Sequence, residues 1–154
     1  MRSDIAALQR LYGADFTTNQ GDTVYKWNPC NGITLINGVT AISPGANRIF
    51  ATIWDGNGND TYDLTAYTTG VQVDLRPGYG SSFSSTQKAN LGGGVLASAN
   101  IYNAYQYNGD SRSLIENAWT GSGSDSLIGN QARNVLRGMA GNDILQGLEG
   151  VDWG

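Results

Sequence analysis

The sequence predicts an all-β domain with one short helix at its N-terminus. Three observations carry that prediction. Glycine supplies 22 of 154 residues against only three prolines, which rules out collagen and Pro-rich linkers. Short runs of β-branched and aromatic residues alternate with Gly, Asn, Asp and Pro breaks. From Thr120 onward the chain falls into a nine-residue repeat.

Taken in order, residues 3–13 read as the one helix. Ser3 is the expected N-cap, and Asp4 lies in the first turn. Ile5, Leu8 and Tyr12 share a face with Leu11 beside them, and Gly13 supplies the stop. Strands are expected over 23–27, 49–54, 61–64, 71–75 and 101–107. Breaks fall at 28–32 and 76–80, with small-residue loops at 81–85 and 92–94 and a polar loop at 108–110. Strand alternation over 101–107 puts Tyr105 and Tyr107 on one face. Trp27, Trp54 and Trp119 are expected to fill the core or to cover a loop. Cys30, the single cysteine, lies in the turn Asn28-Pro29-Cys30-Asn31-Gly32 and reads as an exposed thiol with no internal disulfide partner.

Written in nines, the repeat runs TGSGSDSLI from Thr120, GNQARNVLR from Gly129, GMAGNDILQ from Gly138 and GLEGVDWG from Gly147. The sixth position is Asp125, Asn134, Asp143 and Asp152, and the eighth is Leu127, Leu136 and Leu145. This is the G-G-x-G-x-D-x-U-x pattern of calcium-binding parallel β-rolls. Six residues form a turn, in which glycine lets the backbone aim carbonyls inward. Three residues form a strand, whose eighth-position Leu points to the core. Two nines make one coil, so turns eighteen residues apart stack. Calcium fits between them because it takes about six oxygens from carboxylates and carbonyls. Without it, the facing Asp125 and Asp143 repel, so ion binding is part of folding. Upstream, Trp54-Asp55-Gly56-Asn57-Gly58-Asn59-Asp60 sets two carboxylates around a Gly/Asn loop. Periodicity alone reads it as a hairpin turn with solvated aspartates.

Composition limits function. The net charge is −4, and only nine residues are Lys or Arg, which argues against a nucleic-acid-binding surface. No apolar stretch is long enough to span a bilayer, and no signal-peptide run follows Met1-Arg2-Ser3-Asp4. There is no histidine, which removes His-dependent triads and His-ligated zinc chemistry from this chain. The abundant Asp, Asn and Gly leave hard-cation chemistry in place.

Five segments in this order resemble the serralysin-type secreted metalloproteases: Asp4-Ile5-Ala6-Ala7-Leu8-Gln9-Arg10-Leu11-Tyr12-Gly13-Ala14, Gly21-Asp22-Thr23-Val24-Tyr25, Trp54 to Asp63, Asp74-Leu75-Arg76-Pro77-Gly78 and Ile115-Glu116-Asn117-Ala118. The nonapeptides follow, and the likeness covers nearly the whole chain. The resemblance implies a C-terminal β-sandwich and RTX β-roll, secreted by a type I exporter to the outside of the cell without stable membrane insertion. It divides the chain into a linker helix (1–14), a β-sandwich part (15–119) and a truncated roll (120–154) of one continuous domain.

The resemblance also implies several calcium ions. The first would lie between Asn19, Gly21 and Thr23 on one loop and Asp55, Asn57 and Asp60 on the other; the family usually has Arg where Asn19 stands. A neighbour would share Asp60 with Gly58, Leu114 and Glu116. A third would use Gly121, Gly123, Asp125, Gly138, Ala140 and Asp143. A fourth would use Asn130, Ala132, Asn134, Gly147, Glu149 and Asp152, and would be the weakest of the roll sites, with Asn134 in place of a carboxylate. The family's zinc motif HExxHxxGxxH is absent, and Trp153-Gly154 stops inside a repeat, so a fragment or truncated product is expected. The expected role is a non-catalytic module that folds on calcium outside the cell and supports an attached protease domain. The competing readings are part of an active zinc metalloendopeptidase, with zinc outside this chain, or a stand-alone RTX adhesin.

Overall fold

The computed structural model describes residues 1–153. It is mostly strand, with one α-helix among the described residues. That helix, α1, spans Arg2–Tyr12 and ends at Gly13 with φ +83°. It starts before the expected Ser3 cap, at Met1 with no side-chain cap; the favourable charge at this end is the Asp4 carboxylate of the first turn, which also meets the terminal ammonium at 2.8 Å. Arg2 holds the helix to the body, lying over the Tyr102 ring at 4.4 Å and donating to the Gly78 carbonyl. Gln9 is buried, while Leu8, Leu11 and Tyr12 are exposed.

Strands β1 (Val24–Trp27), β2 (Thr34–Ile36) and β3 (Val39–Ile42) pair antiparallel. The β2–β3 hairpin turns at Asn37-Gly38, both with positive φ, as a type I′ turn requires. Strand β1 then pairs in parallel with β5 (Thr61–Asp63), β5 with β9 (Asn117–Trp119), and β9 with β11 (Val135–Arg137), giving one six-stranded sheet. A second sheet stacks β6 (Gln72–Asp74), β10 (Ser126–Ile128) and β12 (Ile144–Gln146) in parallel. A third joins β4 (Ala51–Ile53), β8 (Ile101–Asn103) and β7 (Gly80–Ser81).

The register carries the repeat. Leu127 pairs with Leu145 in one ladder and Ala118 with Leu136 in the other. The chain therefore returns to the same ladder every eighteen residues, as two nines per coil require. Leu127 and Leu136 are buried, whereas Leu145 on β12 is half-exposed.

One core draws on all three sheets: Tyr25, Trp27, Tyr62 and Ala118 from the first, Val73 and Leu127 from the second, Ile101 from the third. Trp27 meets Tyr62 edge-on at 5.2 Å and Phe83 at 4.9 Å. Trp27 thus fills the core. Trp54 is half-buried on Phe16, with its indole N–H on the Asp15 carbonyl, and Trp119 is half-buried under Arg137.

Two expectations need correction. Strand β8 ends at Asn103, so Tyr105 and Tyr107 do not share a strand face. Its partner β4 ends at Ile53, whose carbonyl takes the Ala104 N–H, and the chain then leaves the ladder for the Asn108-Gly109 turn. The segment 54–60 is not a hairpin either. Strands β4 and β5 belong to different sheets, so the loop crosses between them, and Asp55 and Asp60 are buried.

Candidate metal centre

The crossing loop 54–60 is held against the loop 19–23, thirty-odd residues earlier in the chain. Gly56 N–H donates to the Thr18 carbonyl at 2.8 Å, and Thr23 N–H to Asp60 Oδ1 at 2.8 Å. The Thr23 hydroxyl turns back onto the Gly21 carbonyl at 2.8 Å. Gly58, at φ +145°, allows a close approach: a Cβ there would lie 2.7 Å from both Asp60 Oδ1 and the Gly21 carbonyl oxygen. The third segment enters through Glu116, whose Oε2 accepts the Asp60 N–H at 2.7 Å. Residues Asn19 to Thr23, Asp55 to Asp60, and Leu114 to Glu116 are thus brought together.

The electrostatics of this centre are unfavourable as it stands. Burial, then the neighbouring Asp55 and Glu116 charges, pushes the Asp60 carboxyl well above the ordinary range. Burial raises Asp55 too, and lifts Glu116 to about 7. Asp60 Oδ2 is buried without a hydrogen-bond partner. A deeply buried, unpaired carboxylate oxygen amid acids and carbonyls is a place for a cation.

Several supporting side chains lie outside the expected ligand set. The Tyr25 hydroxyl donates to Asp55 Oδ2 at 2.8 Å while accepting from Asn19 Nδ2 at 2.8 Å. Asp22 Oδ1 takes the Asn59 N–H at 2.9 Å, and Asn117 Nδ2 binds Asn59 Oδ1 at 2.8 Å. For Tyr25 a signal existed: it lies two residues after Thr23, so strand alternation puts both on one face.

The repeat turns make the second group. Turn 120–125 rests on the segment 65–71: Ser122 N–H donates to the Tyr67 carbonyl at 3.2 Å, and Val71 N–H to Asp125 Oδ1 at 2.8 Å. Turn 138–143 stacks on turn 120–125 in turn: Ala140 N–H reaches the Gly121 carbonyl at 3.2 Å, and Asp125 N–H reaches Asp143 Oδ1 at 2.9 Å. Gly141, at φ +127°, lies so close to the Gly123 carbonyl that no side chain fits. Asp125 Oδ2, like Asp60 Oδ2, is buried and unpartnered. On the other side, Asn134 N–H donates to Asp152 Oδ1 at 2.9 Å, and Gly129 lies against the Gly147 carbonyl at the distance of a missing Cβ (2.5 Å). Ala132 approaches Gly150 through its carbonyl, while Glu149 is exposed.

The loops 19–23 and 55–60 and the turns eighteen residues apart thus lie against one another, with Glu116 bonded to the first pair and Glu149 exposed. Among the described residues, however, no three His, Cys, Asp or Glu side chains converge tightly enough to hold a metal by themselves. Any ion here relies on carbonyl oxygens beside one or two carboxylates. That donor set contains oxygen alone, which suits calcium and does not suit zinc.

Residues 14–149 match the family model described as peptidase M10 serralysin C terminal. The metallopeptidase AprA of Pseudomonas marginalis is 37% identical over 134 residues, which is 87% of this chain and 24% of that protein. The metalloprotease AprA of Pseudomonas entomophila is 38% identical over 137 residues, 89% of this chain and 24% of its own length. Serralysin C of Dickeya chrysanthemi is 41% identical over 128 residues, 83% of this chain and 22% of that protein. The chain spans about a quarter of the length of these relatives. With its parallel ladders stepped by eighteen residues and a family match over most of its length, the chain belongs to the serralysin C-terminal family of the M10 peptidases.

Proposed function

We propose that this chain is the calcium-dependent, non-catalytic part of a secreted metalloprotease. One observation carries the reading: Asp60 Oδ2 and Asp125 Oδ2 are both buried without a partner. Bound calcium would supply the positive charge that these oxygens lack. The chain's residues do the rest. Asn19, Gly21, Thr23, Asp55, Asn57 and Asp60 bring two distant loops to one point. Gly58, Leu114 and Glu116 extend that point to the segment before β9. The turns 120–125 and 138–143, and 129–134 and 147–152, offer Asp125, Asp143 and Asp152 with carbonyls of Gly121, Gly123, Gly138, Ala140, Asn130, Ala132 and Gly147.

On this reading the repeats form a β-roll whose turns 120–125 and 138–143 stay open where calcium is scarce and close at the millimolar calcium outside the cell. An open chain suits passage through a type I exporter. Catalysis, and any zinc, belongs to an upstream segment such as the metalloprotease relatives have. The exposed Leu8, Leu11 and Tyr12 of α1, beside the half-buried Trp54, give that segment an apolar face to rest on.

The test is a far-UV circular dichroism titration with calcium, starting from chelator, with magnesium as control. A cooperative gain of β signal, specific to calcium, is expected. A spectrum and melting temperature unchanged by calcium would overturn the reading.

A further inference from the structure

Turn 129–134 differs from its neighbour in what fills the space beneath it. Asn130 and Asn134 are 1% and 0% exposed. Asn130 Nδ2 donates to the carbonyls of Leu75 at 3.1 Å and Ile115 at 2.8 Å. Asn134 Nδ2 donates to the Glu116 carbonyl at 2.8 Å and to Asn130 Oδ1 at 3.2 Å. Asn130 Oδ1 also accepts the Ala132 N–H at 2.9 Å, and Asn134 Oδ1 accepts the Asn130 N–H at 2.8 Å. Each primary amide has two hydrogens, so all four donors are used. Turning either amide over would set its oxygen against other oxygens, so the hydrogen-bond network fixes the orientation.

Three backbone carbonyls, from Leu75, Ile115 and Glu116, therefore converge on two side-chain amides. Converging carbonyls are what a hard cation collects. Here N–H groups take that place. The sixth position of the preceding turn makes the contrast: Asp125 also reaches down, to Val71 N–H, but leaves Oδ2 buried and unpaired. A carboxylate brings no donor and needs a cation, whereas an amide brings its own.

We infer that Asn130 and Asn134 are a built-in substitute for a cation. Turn 129–134 locks onto Leu75, Ile115 and Glu116 without metal, and β11 follows it into the ladder, with Val135 N–H on the Glu116 carbonyl at 3.3 Å. One side of the coil is then fixed before any ion binds and serves as the template for the metal-dependent turns 120–125 and 138–143. The template role rests on the calcium reading above; the amide lock does not.

The test is hydrogen–deuterium exchange on the full 154-residue chain, in chelator and in calcium. In chelator, the amides of Asn130, Ala132 and Val135, which are bonded within the lock, are expected to keep their protection while 120–125 and 138–146 lose about tenfold or more. Loss at those three amides equal to that of the neighbouring turns overturns the inference. The second arm is Asn134→Asp in chelator. It sets a carboxylate against the Glu116 carbonyl and Asn130 Oδ1, so protection at 135–137 is expected to fall about tenfold. Protection equal to the unsubstituted chain overturns the lock. If no turn of the unsubstituted chain responds to calcium, the calcium reading fails, and this second arm alone decides the lock.

Discussion

The loops around Asp60 and the turns around Asp125 present the same chemical deficit in two different settings. Each holds a buried carboxylate oxygen with no partner. Around Asp60 the walls come from three distant segments, tied by bonds such as Thr23 N–H to Asp60 and Asp60 N–H to Glu116, and the aromatic core of Tyr25, Trp27 and Tyr62 lies alongside. Around Asp125 the walls are turns of a short repeat, and the outermost, 138–143, carries exposed Met139 and Ala140 and leads into the exposed Ile144 of β12. The first setting is prepaid by the core and stays assembled with its charges unrelieved. In the second, the inner turn runs into the buried Leu127 but the outer turn and β12 have little apolar burial of their own, so on the proposed calcium reading charge relief and closure of the outer turn are one event. The loops should therefore answer calcium with a change in stability, and the outer turns with a change in structure.

The largest effect that would break this comparison is at Asp60. Asp60→Asn keeps an oxygen for Thr23 N–H and removes one of the three crowded charges. In chelator it should raise stability by about 1–2 kcal/mol, by relieving burial and repulsion. In saturating calcium it should lower stability by a similar or larger amount, since a ligand charge is gone. Paired thermal melts check this; a substitution effect of one sign in both conditions would sink the assignment of Asp60 as the shared ligand. The same crowding has a pH signature. Glu116 sits at about 7 in the folded chain against an ordinary 4.5, because burial disfavours its charge. The folded state thus holds this proton more tightly than the unfolded one. The associated stability is complete below 4.5 and is lost as pH rises to about 7. Calcium-free melts should decline across that window, and calcium should flatten the decline.

A smaller effect separates the outer turns. Asp143→Ala removes one carboxylate from turns that are otherwise carbonyl-lined. The calcium midpoint for closing 120–125 on 138–143 should rise about tenfold, near 1.4 kcal/mol. The chelator state should change little, because those turns are open there. Asn134→Ala should do the reverse, weakening the chelator state through the lost Glu116 bond and moving the midpoint less. Calcium titrations of both variants, read at the turns, distinguish the two. Equal behaviour would mean that the two faces of the coil do not differ.

How much of this was legible depended on sequence separation. The repeat announces itself by period, and Leu127 and Leu136 are buried where the eighth position requires. Asp55 and Asp60 are visible as a local pair, but the partners of Asp60 lie 37 and 56 residues away, at Thr23 and Glu116, and that of Asp55 lies 30 away, at Tyr25, where spacing says nothing. Only the serralysin resemblance connected them. Asn134 reads from the repeat as a weakened ligand, because position alone does not reveal that its N–H groups find Glu116 and Asn130. The 101–107 strand was overextended because alternation of Tyr with polar residues persists past the end of its partner β4. The hairpin β2–β3 carries the strong Asn37-Gly38 signal, yet β3 is exposed along its whole length and shows no apolar–polar alternation to mark it.

That hairpin also supplies the smallest test, because its tip residue Gly38 touches neither group of turns, although its neighbour Asn37 is bonded to Val24, the residue after Thr23. Gly38 holds φ +78° with nothing within 4 Å of where a Cβ would stand, so Gly38→Ala adds backbone strain and no clash. The left-handed conformation costs a non-glycine residue about 1 kcal/mol. For a chain of this size that corresponds to a melting shift of roughly 2–4 °C. The shift should be the same in chelator and in calcium, since the strain is present in both states and touches no proposed ligand. The calcium midpoint should stay in place. A shift that depended on calcium would mean that the edge of the six-stranded sheet is coupled to the turns through β1 and β5, and the division between a core-held site and a self-closing roll would have to be redrawn with the whole sheet as one cooperative, ion-linked unit.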